Sequence, residues 1–147
     1  RLSALNSEIT IRTYPTRLTE ENAQEIISQY DIVVDGCDNF STRYLINDIC
    51  AEMGKVYVYG AICGFEGQVS VFHYGEEKKS YRDLYPDEEE MRRMPPPSKG
   101  VMGITPAVTG SIEATEVLKI ICSFGEVLSG KLWTIDLRTL QSNKFSL

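Results

Sequence analysis

Asp38 and Asn39 are the residues of this 147-residue chain whose types and position could do chemistry. They follow the β-branched run Ile32–Val34 and Gly36, a glycine that permits a sharp exit from a buried strand. The pair therefore lies at the carboxyl end of a predicted strand, where open α/β sheets bind nucleotides. A carboxylate there can hold Mg²⁺, whose other ligands are waters and substrate phosphates. The same residue types also favour a helix N-cap, so both interpretations stay open.

Hydrophobic periodicity predicts that the elements around this pair alternate between strand and helix. The predicted strands are Ser7–Tyr14, Asp31–Asp35 and Val56–Ile62; one intervening helix starts at Thr19 and the other is Ser41–Met53, capped by Gly54. Strands separated by helices form parallel sheets through right-handed crossovers. We therefore predict an α/β fold, a Rossmann-like three-layer sandwich.

Beyond Cys63 the pattern changes and predicts antiparallel structure. Gly67–Tyr74 alternates apolar and polar residues after a connection too short for a crossover helix, which is typical of a hairpin. Gly75–Gly103 has no periodicity and is predicted to be a flexible, functional loop. The remaining predicted elements are a helix over Thr109–Phe124 ended by Gly125, and a hairpin of Lys131–Leu137 and Gln141–Leu147 that packs through Trp133 and Phe145.

Composition and single residue types exclude several classes of function. The net charge of −6 argues against a binder of nucleic-acid phosphates. No apolar run approaches the ~20 residues of a membrane span, and we expect a cytoplasmic protein without a signal peptide. The four cysteines form no Cys-x-x-Cys pair, which argues against zinc and disulfides. Cys50 and Cys122 are predicted to be buried, Cys37 would react only with a lowered pKa, and the lone His73 disfavours histidine-based chemistry.

Asp35–Asn47 has the sequence DGCDNFSTRYLIN, which resembles the D-C-T-D-N-x-x-x-R-x-x-x-N signature of the ThiF/MoeB/HesA family of E1-like adenylating enzymes. Further matches follow in family order over nearly the whole chain, at Leu5–Asn6, Tyr59–Ala61, Glu66–Val69, Phe72 and Gly110–Glu116. The family's glycine-rich loop and main phosphate-binding Arg and Lys precede the point where this chain starts, and the chain has no glycine-rich phosphate motif of its own. The resemblance therefore implies the C-terminal half of an adenylating domain, a fragment that lacks the N-terminal glycine-rich half and is a poor catalyst alone.

The resemblance implies ATP-dependent adenylation of the C-terminal glycine of a ubiquitin-like sulfur-carrier protein, of the thiamin or molybdopterin type. It implies that Asp38 is catalytic and binds Mg²⁺, that Asn39 binds the nucleotide, and that Arg43 either binds the nucleotide or braces its own helix. It places Tyr14–Arg17 near the adenine and ribose, and it implies a homodimer. Two alternatives stay open: a non-catalytic E1-like scaffold that binds a ubiquitin-like partner, and an adenylating relative that acts on a small molecule or on tRNA.

Two departures from the family pattern change these expectations. Zinc-binding members carry Cys-x-x-Cys where this chain has Ser80 and Asp83, so no zinc is expected. Many members keep a cysteine in the crossover loop, but residues 95–100 contain none. Any sulfur transfer would therefore use another residue or a partner, while residues 75–103 are expected to guide the carrier's tail.

Deletion of Pro95–Pro97 is expected to weaken carrier-dependent activity more than ATP binding, because the proline triplet lies in the segment expected to guide the tail. Carrier-dependent pyrophosphate exchange and nucleotide affinity measure the two effects separately. Equal losses in both would contradict this expectation.

Overall fold

The computed structural model describes residues 1–95 and 100–147, and from Glu20 to Cys63 it alternates between helices and strands as predicted. The elements of the described residues are α1 (Leu2–Leu5), α2 (Glu20–Ser28), β1 (Ile32–Val34), α3 (Phe40–Met53), β2 (Val56–Cys63), β3 (Glu66–Phe72), α4 (Tyr81–Leu84), α5 (Glu88–Arg93), α6 (Ile104–Cys122), β4 (Lys131–Asp136) and β5 (Gln141–Ser146). Among these residues no helix is both long and apolar enough to cross a membrane.

The strands form one mixed sheet in the order β1-β2-β3-β4-β5. β1 pairs with β2 in parallel, with Ile32 opposite Val56. The three pairings from β2 to β5 are antiparallel, and Gly60 lies opposite Val69 in the first of them. The prediction of parallel strands that continue into antiparallel hairpins is therefore confirmed.

Side-chain alternation gives the sheet two different buried faces. The first, the aromatic face, buries tyrosine and phenylalanine side chains of β2, β3, α3 and α4, namely Tyr44, Tyr57, Tyr59, Phe72 and Tyr81. The second, the α6 face, buries Val58, Val69 and Val71 and is covered by α6. Helices on both faces agree with the predicted layering.

Local sequence explains where the helix that starts at the candidate site begins and ends. The Asn39 side chain accepts a hydrogen bond from the Thr42 N–H at 2.8 Å and so caps the N-terminus of α3. Gly54 ends α3 in a left-handed conformation with φ of 64°, as predicted. At α4, Ser80 and Asp83 form a capping box, so the two residues at the family's zinc-ligand positions have a helix-capping role here.

The prediction for one segment was wrong, and a second segment has more regular structure than predicted. Ser7–Tyr14 forms no strand, because no strand of the described sheet pairs with it, and Ile9 and Ile11 are exposed. Gly75–Gly103 contains the short helices α4 and α5, which have side-chain caps but are too short to show periodicity. Of the proline triplet, Pro96 and Pro97 lie outside the described residues, as do residues 98 and 99.

The last third of the chain also needs corrections. α6 begins at Ile104 rather than Thr109, with Pro106 in its first turn. Proline is tolerated there because the N–H groups of the first turn have no partner within the helix. The helix ends at Cys122, before left-handed Ser123, and not at Gly125. Cys122 and Phe145 are exposed, contrary to prediction, whereas Cys50 and Trp133 pack against the core as predicted.

α6 turns polar residues toward the sheet, since its fully buried side chains are Thr105, Thr109, Glu113 and Glu116. Two glycines on the α6 face make room for two of these side chains. A Cβ at Gly60 would overlap the Glu113 carboxyl group, and a Cβ at Gly67 would overlap Thr109 Oγ1. These glycines allow close approach of α6 to β2 and β3.

Gly67→Ala is expected to lower the free energy of unfolding by about 1–3 kcal/mol, because Thr109 is stiff in a helix and cannot move aside. Urea unfolding of the protein measures this. Gly110→Ala is the matched control: no atom crowds a Cβ there, and removing a helical glycine should stabilise by up to ~1 kcal/mol. Adding Thr109→Ala to Gly67→Ala should restore most of the loss, and additive losses would contradict the proposed overlap.

Candidate functional site

Asp38 and Asn39 lie in the short connection between β1 and α3, as predicted, but the two side chains have different roles. Asn39 is the N-cap, whereas Asp38 is exposed and accepts one hydrogen bond, from Asn39 Nδ2 to its Oδ1 at 3.1 Å. No Lys, Arg or His among the described residues forms an ion pair with Asp38. Asn39 is therefore the cap and Asp38 is not, while the binding of Mg²⁺ by Asp38 stays a prediction.

A cavity of about 910 Å³ opens beside Asp38 on the aromatic side of the sheet. The residues that line it come from the start of α3, the C-terminal end of β2 and the N-terminal end of β3. Residues of α5, β4 and β5 complete the lining. Within the cavity, Gln68 Nε2 donates to the hydroxyls of Tyr59 at 2.6 Å and Tyr85 at 3.0 Å. The site thus combines a carboxylate that forms no ion pair with a cavity whose lining is partly polar.

Arg43, the third predicted site residue, is buried and forms an ion pair with Asp35. Its Nε donates to Asp35 Oδ2 at 2.8 Å, and its Nη2 donates to the Cys37 carbonyl. Asp35 also accepts from the Cys37 N–H at 2.7 Å and the Tyr57 hydroxyl at 3.0 Å. Arg43 therefore braces the connection that carries Asp38. It also lines the cavity, and its contact with a nucleotide stays a prediction.

The surroundings of this ion pair shift the pKa values of Cys37, Tyr57 and Arg43. Burial and then the Asp35 carboxylate raise the pKa of Cys37 to about 12, so the thiol is not the reactive group that a lowered pKa would make it. Burial also raises the pKa of Tyr57 well above its usual value, so its hydroxyl remains a donor. For Arg43, burial alone would lower the pKa, but Asp35 outweighs it and the guanidinium stays charged.

Three residues of this region were missed by sequence reasoning. Asp35 and Tyr57 complete the buried network with Arg43, and Glu113 of α6 lies behind them against Gly60. Two signals pointed to them: a carboxylate directly after a predicted strand, and a glycine inside a strand, which marks close approach of another element. Tyr14–Arg17, expected near the adenine, does not line the large cavity; Arg17 lines a separate one of about 240 Å³.

The described residues contain no cluster of three or more His, Cys, Asp or Glu side chains that could hold a metal ion. A metal at Asp38 would therefore have few protein ligands. That donor set fits Mg²⁺, which binds through one or two carboxylates and keeps waters and phosphate oxygens for the rest. A thiolate- or imidazole-rich site would be needed for a closed structural zinc site.

Two curated relatives are similar to this chain over most of its length. It is 45% identical over 145 residues to a probable molybdopterin-synthase adenylyltransferase of Pyropia yezoensis, covering 97% of this chain and 38% of the relative. It is 47% identical over 147 residues to the sulfur carrier protein adenylyltransferase of Thermus thermophilus, covering 92% of this chain and 52% of the relative. The chain thus spans about half or less of these two proteins.

Solved structures share the fold at low sequence identity. The E. coli MccB structure with ATP matches with a TM-score of 0.78 and 19% identity, covering 99% of this chain and 45% of MccB. MccB in complex with N-formylated MccA matches with a TM-score of 0.79 and 16% identity. The model of the ThiF family matches residues 1–147. The chain therefore belongs to the ThiF family, whose model matches its whole length.

Proposed function

We propose that this chain is part of an E1-like enzyme that adenylates the C-terminal glycine of a ubiquitin-like sulfur-carrier protein, of the molybdopterin or thiamin type. The observation that carries the proposal is the free Asp38 carboxylate at the carboxyl end of β1, beside a cavity of about 910 Å³. Membership of the ThiF family and identities of 45% and 47% to two adenylyltransferases support it.

Charge is the main physical difficulty of this reaction. A carboxylate oxygen of the carrier attacks the α-phosphorus of ATP, the bond to the bridging oxygen of the β-phosphate breaks, and pyrophosphate leaves with that electron pair. Both reactants are anionic, so catalysis requires that charge be offset and the groups be held in line. Asn143 of β5, Gln68 and Asp38 all line the cavity, and we propose that the extended tail of the carrier crosses it toward Asp38.

Asp38 and Asn39 are the residues that would hold Mg²⁺ and the nucleotide. Asp38 offers carboxylate oxygens that no cation of the described residues occupies, and Asn39 Nδ2 orients one of them. When bound, Mg²⁺ supplies positive charge that offsets the repulsion between carboxylate and phosphates. Arg43 orients the same connection through the Cys37 carbonyl, and we assign it this positioning role first.

The rest of the proposed enzyme lies beyond what this chain contributes. The chain spans 38% and 52% of two adenylyltransferase relatives, so we propose that further protein supplies the glycine-rich loop and the phosphate-binding cations. A homodimer in the cytoplasm is part of the same proposal. The formal charge of −6 disfavours an alternative in which tRNA is the substrate.

Asp38→Ala is expected to lower carrier-dependent ATP–pyrophosphate exchange by at least about 100-fold, because it removes the carboxylate that would hold Mg²⁺ in the proposed site. Exchange is measured on the protein that carries this chain, with a ubiquitin-like carrier ending in Gly-Gly. Asp31→Ala is the matched control, since Asp31 is also exposed but lies at the opposite end of β1. Circular dichroism and urea unfolding check that both variants fold.

Two results would contradict the proposal in different ways. Equal exchange by Asp38→Ala and Asp31→Ala would remove Asp38 from the site while leaving adenylation in place. Carrier binding without exchange in the wild type, with every carrier tried, would favour the non-catalytic scaffold.

A further inference from the structure

Glu113 is the buried ionisable group that the proposed reaction does not use. It lies on the sheet side of α6, is 7% exposed, and its Oε1 has no hydrogen-bond partner among the described residues. By contrast, Glu116, one turn further along, pairs with Lys119 and accepts from the Leu128 N–H. An unpaired buried carboxylate is costly, so the lack of partners requires an explanation.

The neighbours of Glu113 connect it to the candidate site. Its carboxyl group packs directly on Gly60, whose carbonyl faces Arg43 Nη2 at 3.4 Å. The charged groups that act on Glu113 are Asp35, which follows β1, and Arg43, from α3. Glu113 and Asp35 are thus two carboxyl groups near one guanidinium.

Among the residues that the structure describes, the other elements packed against α6 bring no further ionisable group to Glu113. β2 and β3 turn uncharged residues toward α6, namely Val58, Gly60, Gly67 and Val69. Because side chains alternate along a strand, their ionisable residues lie on the aromatic face: Tyr57, Tyr59, Cys63 and Glu66. Asp35 and Arg43 therefore dominate the electrostatics of Glu113.

Burial, reinforced by Asp35, raises the pKa of Glu113 to about 7, and Arg43 only partly opposes this. Near neutral pH the carboxyl is thus present in both forms. In the structure Arg43 is shared by Asp35 and the Cys37 carbonyl, and an uncharged Glu113 does not compete with either of them for the guanidinium. In the ionised form a second carboxylate attracts the same guanidinium.

We propose that Glu113 is a protonation-sensitive positioning residue: uncharged, it leaves Arg43 on Asp35 and on the Cys37 carbonyl, and ionised, it draws Arg43 away. The connection that carries Asp38 then loosens, and Mg·ATP binds more weakly. This inference rests on the proposed function, because it assumes that the Asp38 site binds Mg·ATP. It requires no contact between Glu113 and either substrate.

The test compares wild type, Glu113→Gln and Thr109→Val in the protein that carries this chain. Calorimetry measures the Kd for Mg·ATP at pH 6 and pH 8.5, without carrier. The wild-type Kd for Mg·ATP is expected to be at least about fivefold higher at pH 8.5 than at pH 6, which is the lower end of typical coupling between sites. Glu113→Gln should stay near the pH 6 value, because it cannot ionise. Thr109→Val removes the neighbouring unpaired polar atom and should follow the wild type.

A second readout does not depend on ATP. The pKa of Glu113 is higher in the folded than in the unfolded state, so its contribution to stability is lost as pH rises from about 4.5 to about 7. Urea unfolding across that range should show a decline in wild type that is smaller in Glu113→Gln.

The outcomes separate this inference from the proposed function. Equal pH dependence of the Kd in wild type and Glu113→Gln would overturn the inference and leave adenylation standing. Failure of the wild type to bind Mg·ATP at any pH would overturn both, while the unfolding profiles would still report whether Glu113 titrates in the fold. A Kd of Thr109→Val far from the wild-type Kd at the same pH would show a packing effect instead of a protonation effect and would also overturn it.

Discussion

The buried ion pair between Asp35 and Arg43 joins the three elements that meet beside Asp38, namely β1, α3 and β2. Asp35 follows β1, Arg43 lies one turn inside α3, and the pair also bonds to Tyr57 of β2 and to both backbone groups of Cys37. Removing one partner of such a pair leaves an uncompensated charge and typically costs about 3–5 kcal/mol. Because the pair fixes the connection from β1 to α3, Asn39 caps the helix and Asp38 is left exposed at the cavity.

The two faces of the sheet contribute differently to the site. On the aromatic face, large side chains such as Tyr59 form the wall behind the cavity, and Gln68 links that wall to Tyr85. On the α6 face, Gly60 and Gly67 admit the polar side of α6, which brings a carboxyl group behind the ion pair. The aromatic face of β2 and β3 therefore forms the wall of the cavity, and the α6 face of the same strands brings Glu113 behind the ion pair.

Local patterns predicted the elements but not the network between them. The β1 to α3 connection, the Gly54 cap and the β2–β3 hairpin follow from short-range chemistry, and each was confirmed. The buried pairing of Arg43 with Asp35 and the approach of Glu113 to Gly60 depend on tertiary packing, which no local period encodes. The strand predicted over Ser7–Tyr14 had the right alternation, but a strand needs a partner as well as a pattern.

A double-mutant cycle at Asp35 and Arg43 tests the central claim most directly. Asp35→Asn, Arg43→Met and the double variant would be compared by urea unfolding and by Mg·ATP affinity. We expect each single variant to lose stability and affinity strongly, and the double variant to be no worse than either, because it leaves no unpaired buried charge. Additive losses of stability and affinity would show that the two residues act independently, and would contradict the claim that their pairing holds the site.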